Sequence, residues 1–232
     1  MAEVSHVILF DIDGTLMHSG RAGVRGMNAA FLRLYGVTGA LDQVSLAGRT
    51  DHAIVSDVLR GMGHTPHPNS IRVIREAYLE HLALEMSMPV PGAEILPGVH
   101  DVLDALADRD DVVVGLLTGN FARGAEIKLG HFDLWSRFAF GAFGDDHANR
   151  RDLVPIAMAH AATAGVSVPA SHVVVIGDTP LDVDCARAHG ARSVGVATGM
   201  FTREQLAAAD AGLVMDSLED TRALVDWIVA EA

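Results

Sequence analysis

Short runs of β-branched residues alternate along this chain with stretches of helical period, and that alternation limits the fold more than any other feature. The runs cover residues 7–10, 112–117, a weaker 138–142, 173–176, 193–197 and 213–215. They lack the in/out polarity of a half-solvated strand, so they suit strands covered on both faces. Helical spacing occupies 99–107, 153–164, 181–189, 203–209 and 218–229. Strand and helix in strict alternation imply right-handed crossovers and an α/β fold, a doubly wound parallel (Rossmann-like) sheet.

One interval breaks the rhythm. Residues 17–94 show no strand run, while 24–35, 52–62 and 71–86 carry helical spacing. The expectation is a helical insertion at 17–94 in an α/β core made of 1–16 and 95–232. The joint Met88-Pro-Val-Pro-Gly92 and the pair Pro97-Gly98 mark the return to the core.

In open parallel sheets the chemistry lies beyond the carboxyl ends of the strands. The first strand runs into Asp11 and Asp13, then Gly14; the second ends in Thr118-Gly119-Asn120; a later one ends in Gly177-Asp178, with Asp182 four residues on. Any one of these acids could be an ordinary helix cap. Together in one crevice they repel, and a hard divalent cation with oxygen ligands answers the repulsion. Magnesium suits a site of few carboxylates completed by phosphate and water.

Charge and composition remove other classes. Thirty acidic residues against seventeen basic ones give a net charge of −13, which argues against a nucleic-acid surface. No long apolar span suggests a membrane, and the first ten residues lack the layout of a signal peptide. The single cysteine, Cys185, rules out an internal disulfide and reads as a small apolar residue on a buried helix face. His64-Thr-Pro-His67 has loop composition rather than metal-site spacing. The expectation is a cytoplasmic protein, monomer or homodimer, acting on a small molecule.

The segments DIDGTL, LLTGN and GDTPLD resemble the first, second and fourth motifs of the haloacid dehalogenase superfamily of hydrolases, with spacing most similar to its phosphoglycolate phosphatase-like branch. The resemblance covers nearly the whole chain and makes the insertion a cap domain. It implies Asp11 as the nucleophile that takes up the phosphoryl group, and Asp13 as the acid and base serving the leaving oxygen and then water. Thr118 and the main chain of Gly119 and Asn120 would bind phosphate oxygens, with Gly14 allowing the tight turn. Asp11, Asp178 and the Asp13 carbonyl would hold Mg2+, Asp182 acting directly or through water. The activity implied is magnesium-dependent hydrolysis of a small phosphomonoester through an aspartyl-phosphate. A sugar-phosphate mutase, a 2-haloacid dehalogenase and, last, a non-catalytic phosphate-binding module are the alternatives. Asp13 argues against the dehalogenase.

Two arginines enter by the same resemblance. Arg49, in Leu46-Ala-Gly-Arg49-Thr-Asp51, sits in a segment resembling a substrate-facing cap loop, though it could simply pair with Asp51. The third motif normally supplies a lysine before the helix that leads to the GD strand, and none is present there. Lys128, the only lysine, lies about 12 Å along the helix after Thr118, which would carry it away from the strand ends. Arg150 is therefore expected to replace it, in preference to Arg151.

Overall fold

The computed structural model describes residues 4–230; the outer ends of the expected core segments, 1–3 and 231–232, lie outside it. Six parallel strands form one sheet in the order β5-β4-β1-β6-β7-β8: β1 (His6–Phe10), β4 (Val112–Leu117), β5 (Gly141–Ala142), β6 (Val173–Gly177), β7 (Arg192–Val196) and β8 (Leu213–Met215). The chain starts at the centre, builds outward to β4 and β5, and returns to the other side of β1 for β6 to β8. The switch point falls at β1, between β4 and β6, where such sheets bind their ligands.

Helices cover both faces of the sheet. Val7 and Leu9 of β1 pack with Leu153, Ala157 and Cys185, on α6 (Leu153–Thr163) and α7 (Pro180–Arg187). Ile8 and Phe10 face the opposite way, toward Val102 of α4 (Val99–Ala107), Ala125 of α5 (Ala122–Gly130) and Leu224 of α9 (Thr221–Val229). With both faces covered, all five residues of β1 are buried, and truncating Ile8 or Leu9 to alanine is expected to cost about 2–5 kcal/mol. Cys185 is free and buried, as its sequence setting suggested.

Between β1 and β4 stand α1 (Ala22–Tyr35), α2 (Asp51–Gly61) and α3 (Pro68–Met86). The expected absence of strands from 17–94 is corrected: β2 (Met17–Ser19) pairs antiparallel with β3 (Ala93–Ile95) at the two ends of this interval. Three residues each, with His18, Ser19 and Glu94 among them, carry too little apolar pattern to read as strands. The weak run 138–142 also shrinks, to Gly141–Ala142. Its residues 138–140 follow the 3-10 turn Trp135–Arg137, and Phe140 packs on Gly115, where a side chain would come within 2.7 Å. The exposed His67 accepts the Asn69 N–H at 3.2 Å and caps α3. A further helix, α8, spans Arg203–Ala208 between β7 and β8, and no helix among the described residues is long and apolar enough to cross a membrane.

Candidate active site

Phe10 of β1 is in register with Leu116 of β4 and Ile176 of β6, so the three central strands end level. Asp11, Thr118 and Asp178 follow immediately and are all buried. The Asp11 N–H donates to Ile176 O at 2.9 Å, which keeps the first acid on the strand line. Ile12 is buried below and returns the next side chain, Asp13, to the same side. The chain then turns at Gly14, whose φ of 85° belongs to the left-handed region, and a Cβ there would fall 2.5 Å from Asp178 Oδ2. From the loop after β7, Gly199 approaches the same carboxylate so closely that a Cβ would lie 1.7 Å from Oδ2. Asp178 is thus seated between two glycines.

Asp11, Asp178 and Asp182 each offer an oxygen within 4.8 Å of the others. Burial first, and Asp182 and Asp13 after it, push the Asp11 carboxyl up to about 6 against the pull of Arg150. Burial pushes Asp178 further, to about 8, with Asp11 and Asp182 adding repulsion. One guanidinium therefore does not neutralise the cluster, and a divalent cation fits the remaining deficit of positive charge. Asp182 has little capacity left: Oδ2 accepts from Thr179 N at 3.0 Å and Thr179 Oγ1 at 2.7 Å, and Oδ1 accepts from Arg150.

Arg150 opens a 3-10 turn leading into α6, and the Asn149 side chain accepts the Arg151 N–H to start that turn. Its Nη2 lies 3.0 Å from Asp11 Oδ1, bonds Asp182, and donates to Leu117 O at 3.3 Å. Burial alone would lower the Arg150 pKa, but Asp11 and Asp182 outweigh it and raise it, so the charge is permanent. Arg151 points outward to Asp184 at 2.9 Å.

The placement expected for Lys128 is corrected. Its Nζ lies 2.9 and 2.6 Å from the two Asp13 oxygens and 2.6 Å from Asn120 Oδ1, and the side chain is buried. Axial rise along α5 was a poor guide, because helical side chains lean toward the N-terminus and a lysine arm is long. Burial raises the Asp13 carboxyl, yet Lys128 and an Asn120 hydrogen bond together hold it below the usual range. A signal was present in the sequence: Phe121, Gly124, Ala125 and Lys128 follow the i, i+3, i+4, i+7 stripe of a buried helix face.

The helical insertion closes over these groups. Asp51, at the start of α2, donates its N–H to Gly119 O at 2.7 Å and accepts the Phe121 N–H at 2.9 Å. Thr50 Oγ1 donates to Ala148 O at 2.6 Å, and Gly119 lies so near Arg49 O that a Cβ would come within 2.1 Å. Arg49 pairs with Asp57 at 2.6 Å rather than with Asp51. A cavity of about 410 Å³ remains between insertion and sheet, with Asp11, Asp13, Thr118, Lys128, Arg49 and Asp51 on its wall. Asp51 and Lys128 were not among the site residues expected from sequence.

Residues 8–196 match the family described as haloacid dehalogenase-like hydrolase. The chain belongs to that family. Among curated relatives, this haloacid dehalogenase-like hydrolase is 27% identical over 229 residues to a phosphoglycolate phosphatase of Rhodospirillum rubrum, covering 95% of this chain and 90% of that one. It is 28% identical over 233 residues to phosphoglycolate phosphatase 1 of Pseudomonas aeruginosa, covering 92% and 77%. These likenesses put it in the phosphoglycolate phosphatase-like branch, as a hydrolase of the phosphatase kind. Of solved structures, a hydrolase from Pseudomonas syringae superposes with a TM-score of 0.74 at 22% identity, over 97% of this chain and all of that one. CbbY from Rhodobacter sphaeroides, in complex with phosphate, superposes at 0.71 with 24% identity, over 94% and 96%. At these identities the two structures bear on the fold, which is the same.

Proposed function

We propose that this hydrolase is a magnesium-dependent phosphatase that cleaves a small phosphomonoester through a phosphoryl group held on Asp11. The observation that carries the reading is the convergence of Asp11, Asp178 and Asp182 within 4.8 Å at level strand ends, with Asp13 beside them. Asp11, Asp178 and the Asp13 main-chain carbonyl would hold the ion, and Asp182, its oxygens taken by Thr179 and Arg150, would act through water. An all-oxygen donor set favours magnesium over softer metals. Bound there, the ion would offset the charge of the carboxylates and of the incoming phosphate.

The remaining roles fall to the chain itself. Asp11 attacks phosphorus, and the P–O bond to the alcohol breaks as Asp13, protonated once the bound phosphate offsets the Lys128 charge that holds it low in the free enzyme, delivers that proton to the departing oxygen. The Thr118 hydroxyl and the Gly119 and Asn120 main chain bind phosphate oxygens, and Arg150 steadies Asp11 and the transferring charge. Asp13 then takes a proton from water, which attacks phosphorus and frees Asp11. Residues 17–94 serve as a cap over the core of 1–16 and 95–232, excluding bulk water while the phosphoryl group is on the enzyme. A cytoplasmic setting belongs to the same reading, supported by the free, buried Cys185.

The test is phosphate release from a panel of phosphate esters with and without Mg2+, run beside halide release from 2-haloacids and isomerisation of a sugar monophosphate. The reading expects phosphate alone, dependent on the metal. Halide release or isomerisation without phosphate would overturn it.

A further inference from the structure

The far wall of the cavity bears on the alcohol that the phosphate leaves behind. Val24, Met27, Leu41, Leu46 and Ile54 of the helical insertion line it, with Met200 at its rim on the core side. Met27, Leu41 and Ile54 belong at the same time to the buried core, so this wall is fixed by packing. Met200 is 84% exposed, an apolar side chain left at the cavity mouth.

The guanidinium and ammonium groups that line the cavity are each paired, while Arg21 stands exposed in the adjoining cleft that shares Asp13, His18 and Ser19 with it. Arg49 is paired with Asp57, Lys128 with Asp13 and Asn120, and Arg150 with Asp11 and Asp182. His18 also lines the cavity, close to Asp13. Asp51 adds an acid to the same wall. A second phosphate or a carboxylate on the substrate would have to draw the half-buried Arg49 away from Asp57 and would lie beside Asp51.

Resting on the phosphatase reading above, we propose that the preferred substrate is the monophosphate of an alcohol with an uncharged, apolar body of several carbons, and not phosphoglycolate or a sugar bisphosphate. The volume suits this class, since about 410 Å³ falls in the range of pockets that enclose whole organic ligands. The phosphate lies at the strand ends, and the alkyl or aryl portion extends between α1 and α2 of the insertion.

The experiment pairs turnover with binding. Phosphate release is measured for ethyl, butyl and hexyl phosphate, phosphoglycolate and fructose 1,6-bisphosphate. Isothermal titration with the matching alkylphosphonates, in Mg2+, reads the pocket without chemistry. Both kcat/KM and phosphonate affinity should rise about fourfold per added methylene, with a negative heat-capacity change of binding. Leu46→Ala and Ile54→Ala should each lower the hexyl-to-ethyl ratio about fivefold or more. A flat alkyl series, with phosphoglycolate or the bisphosphate turned over better than hexyl phosphate, would overturn the proposal and leave the phosphatase reading intact. Phosphonates that tighten with chain length while no ester releases phosphate would sink the phosphatase reading and keep the apolar pocket. No turnover and no chain-length trend would sink both.

Discussion

Lys128 closes a contact across 115 residues of sequence, its ammonium 2.9 and 2.6 Å from the two oxygens of Asp13. The lysine is buried, whereas the Asp13 side chain is 41% exposed toward the cavity. That asymmetry separates stability from activity. In Lys128→Met, water can hydrate the abandoned carboxylate, so unfolding free energy should change by no more than about 2 kcal/mol. Turnover should fall about tenfold to a hundredfold on esters of poorly acidic alcohols and less on p-nitrophenyl phosphate, because a misplaced Asp13 matters most where the leaving oxygen needs a proton. Equal losses on both ester types would assign Lys128 to the phosphoryl group instead.

Arg150 and Arg151 are neighbours with opposite expected behaviour. Arg150→Ala strips the buried Asp11 and Asp182 of their shared cation and should cost about 3–5 kcal/mol in urea denaturation, with loss of phosphoryl transfer to Asp11 in a single turnover. Arg151→Ala breaks only an exposed pair with Asp184 and should stay within about 0.5 kcal/mol at full rate. A large effect at Arg151 with a small one at Arg150 would reverse this assignment.

The two glycines that seat Asp178 make a metal prediction that needs no turnover. In Gly14→Ala the added methyl meets Asp178 Oδ2 at 2.5 Å and the backbone keeps a φ of 85°. Strain of about 1–3 kcal/mol is expected. Magnesium at a hundred times its dissociation constant should stabilise the parent protein by about 2.7 kcal/mol. The variant should show less than half the parent's Mg2+-induced rise in Tm. An equal rise in both proteins would mean that Asp178 does not need this seat to bind the ion.

Asp51 gives a pH prediction. Burial drives its carboxyl up to about 6 from the ordinary 3.8, opposed by Lys128 and the Phe121 N–H and reinforced by Asp13 and Asp145. A folded-state value above the unfolded one means that the ionised form costs stability. The cost is absent below about pH 4, grows until about pH 6 and is constant beyond. Asp51→Asn keeps a carbonyl oxygen for the Phe121 N–H and cannot ionise. Measured without metal, its stability relative to the parent should therefore increase between about pH 4 and 6. A difference that is flat or falls across that window would contradict the burial of a charge at this seam.

The sheet was legible because helices cover both of its faces and its strands are apolar without in/out polarity, so Val112–Leu117 and Leu213–Met215 read true to the residue. β2, β3 and β5 were not, since two- and three-residue strands take their definition from a partner rather than from their own pattern. Asp11, Asp13 and Asp178 could be singled out because a strand end is a local feature. Asp51 and Gly199 could not: one acts where the insertion meets Phe121, seventy residues away, and the other where the loop after β7 crosses Asp178. Lys128 is the intermediate case. Its stripe position was in the sequence, but its target on β1's loop follows only once α5 packs beneath the insertion.

The central claim is that Asp11 carries the phosphoryl group, and the direct measurement is acid-quenched single turnover followed by peptide mapping in the mass spectrometer. With the enzyme in excess over a substrate and Mg2+ present, the account predicts a transient phosphoryl adduct on the peptide containing Asp11. It also predicts no adduct, and less than a tenth of parental turnover, in a folded Asp11→Asn variant. Phosphate release with no covalent adduct at any time point, an adduct on another residue, or an active Asp11→Asn enzyme would contradict it.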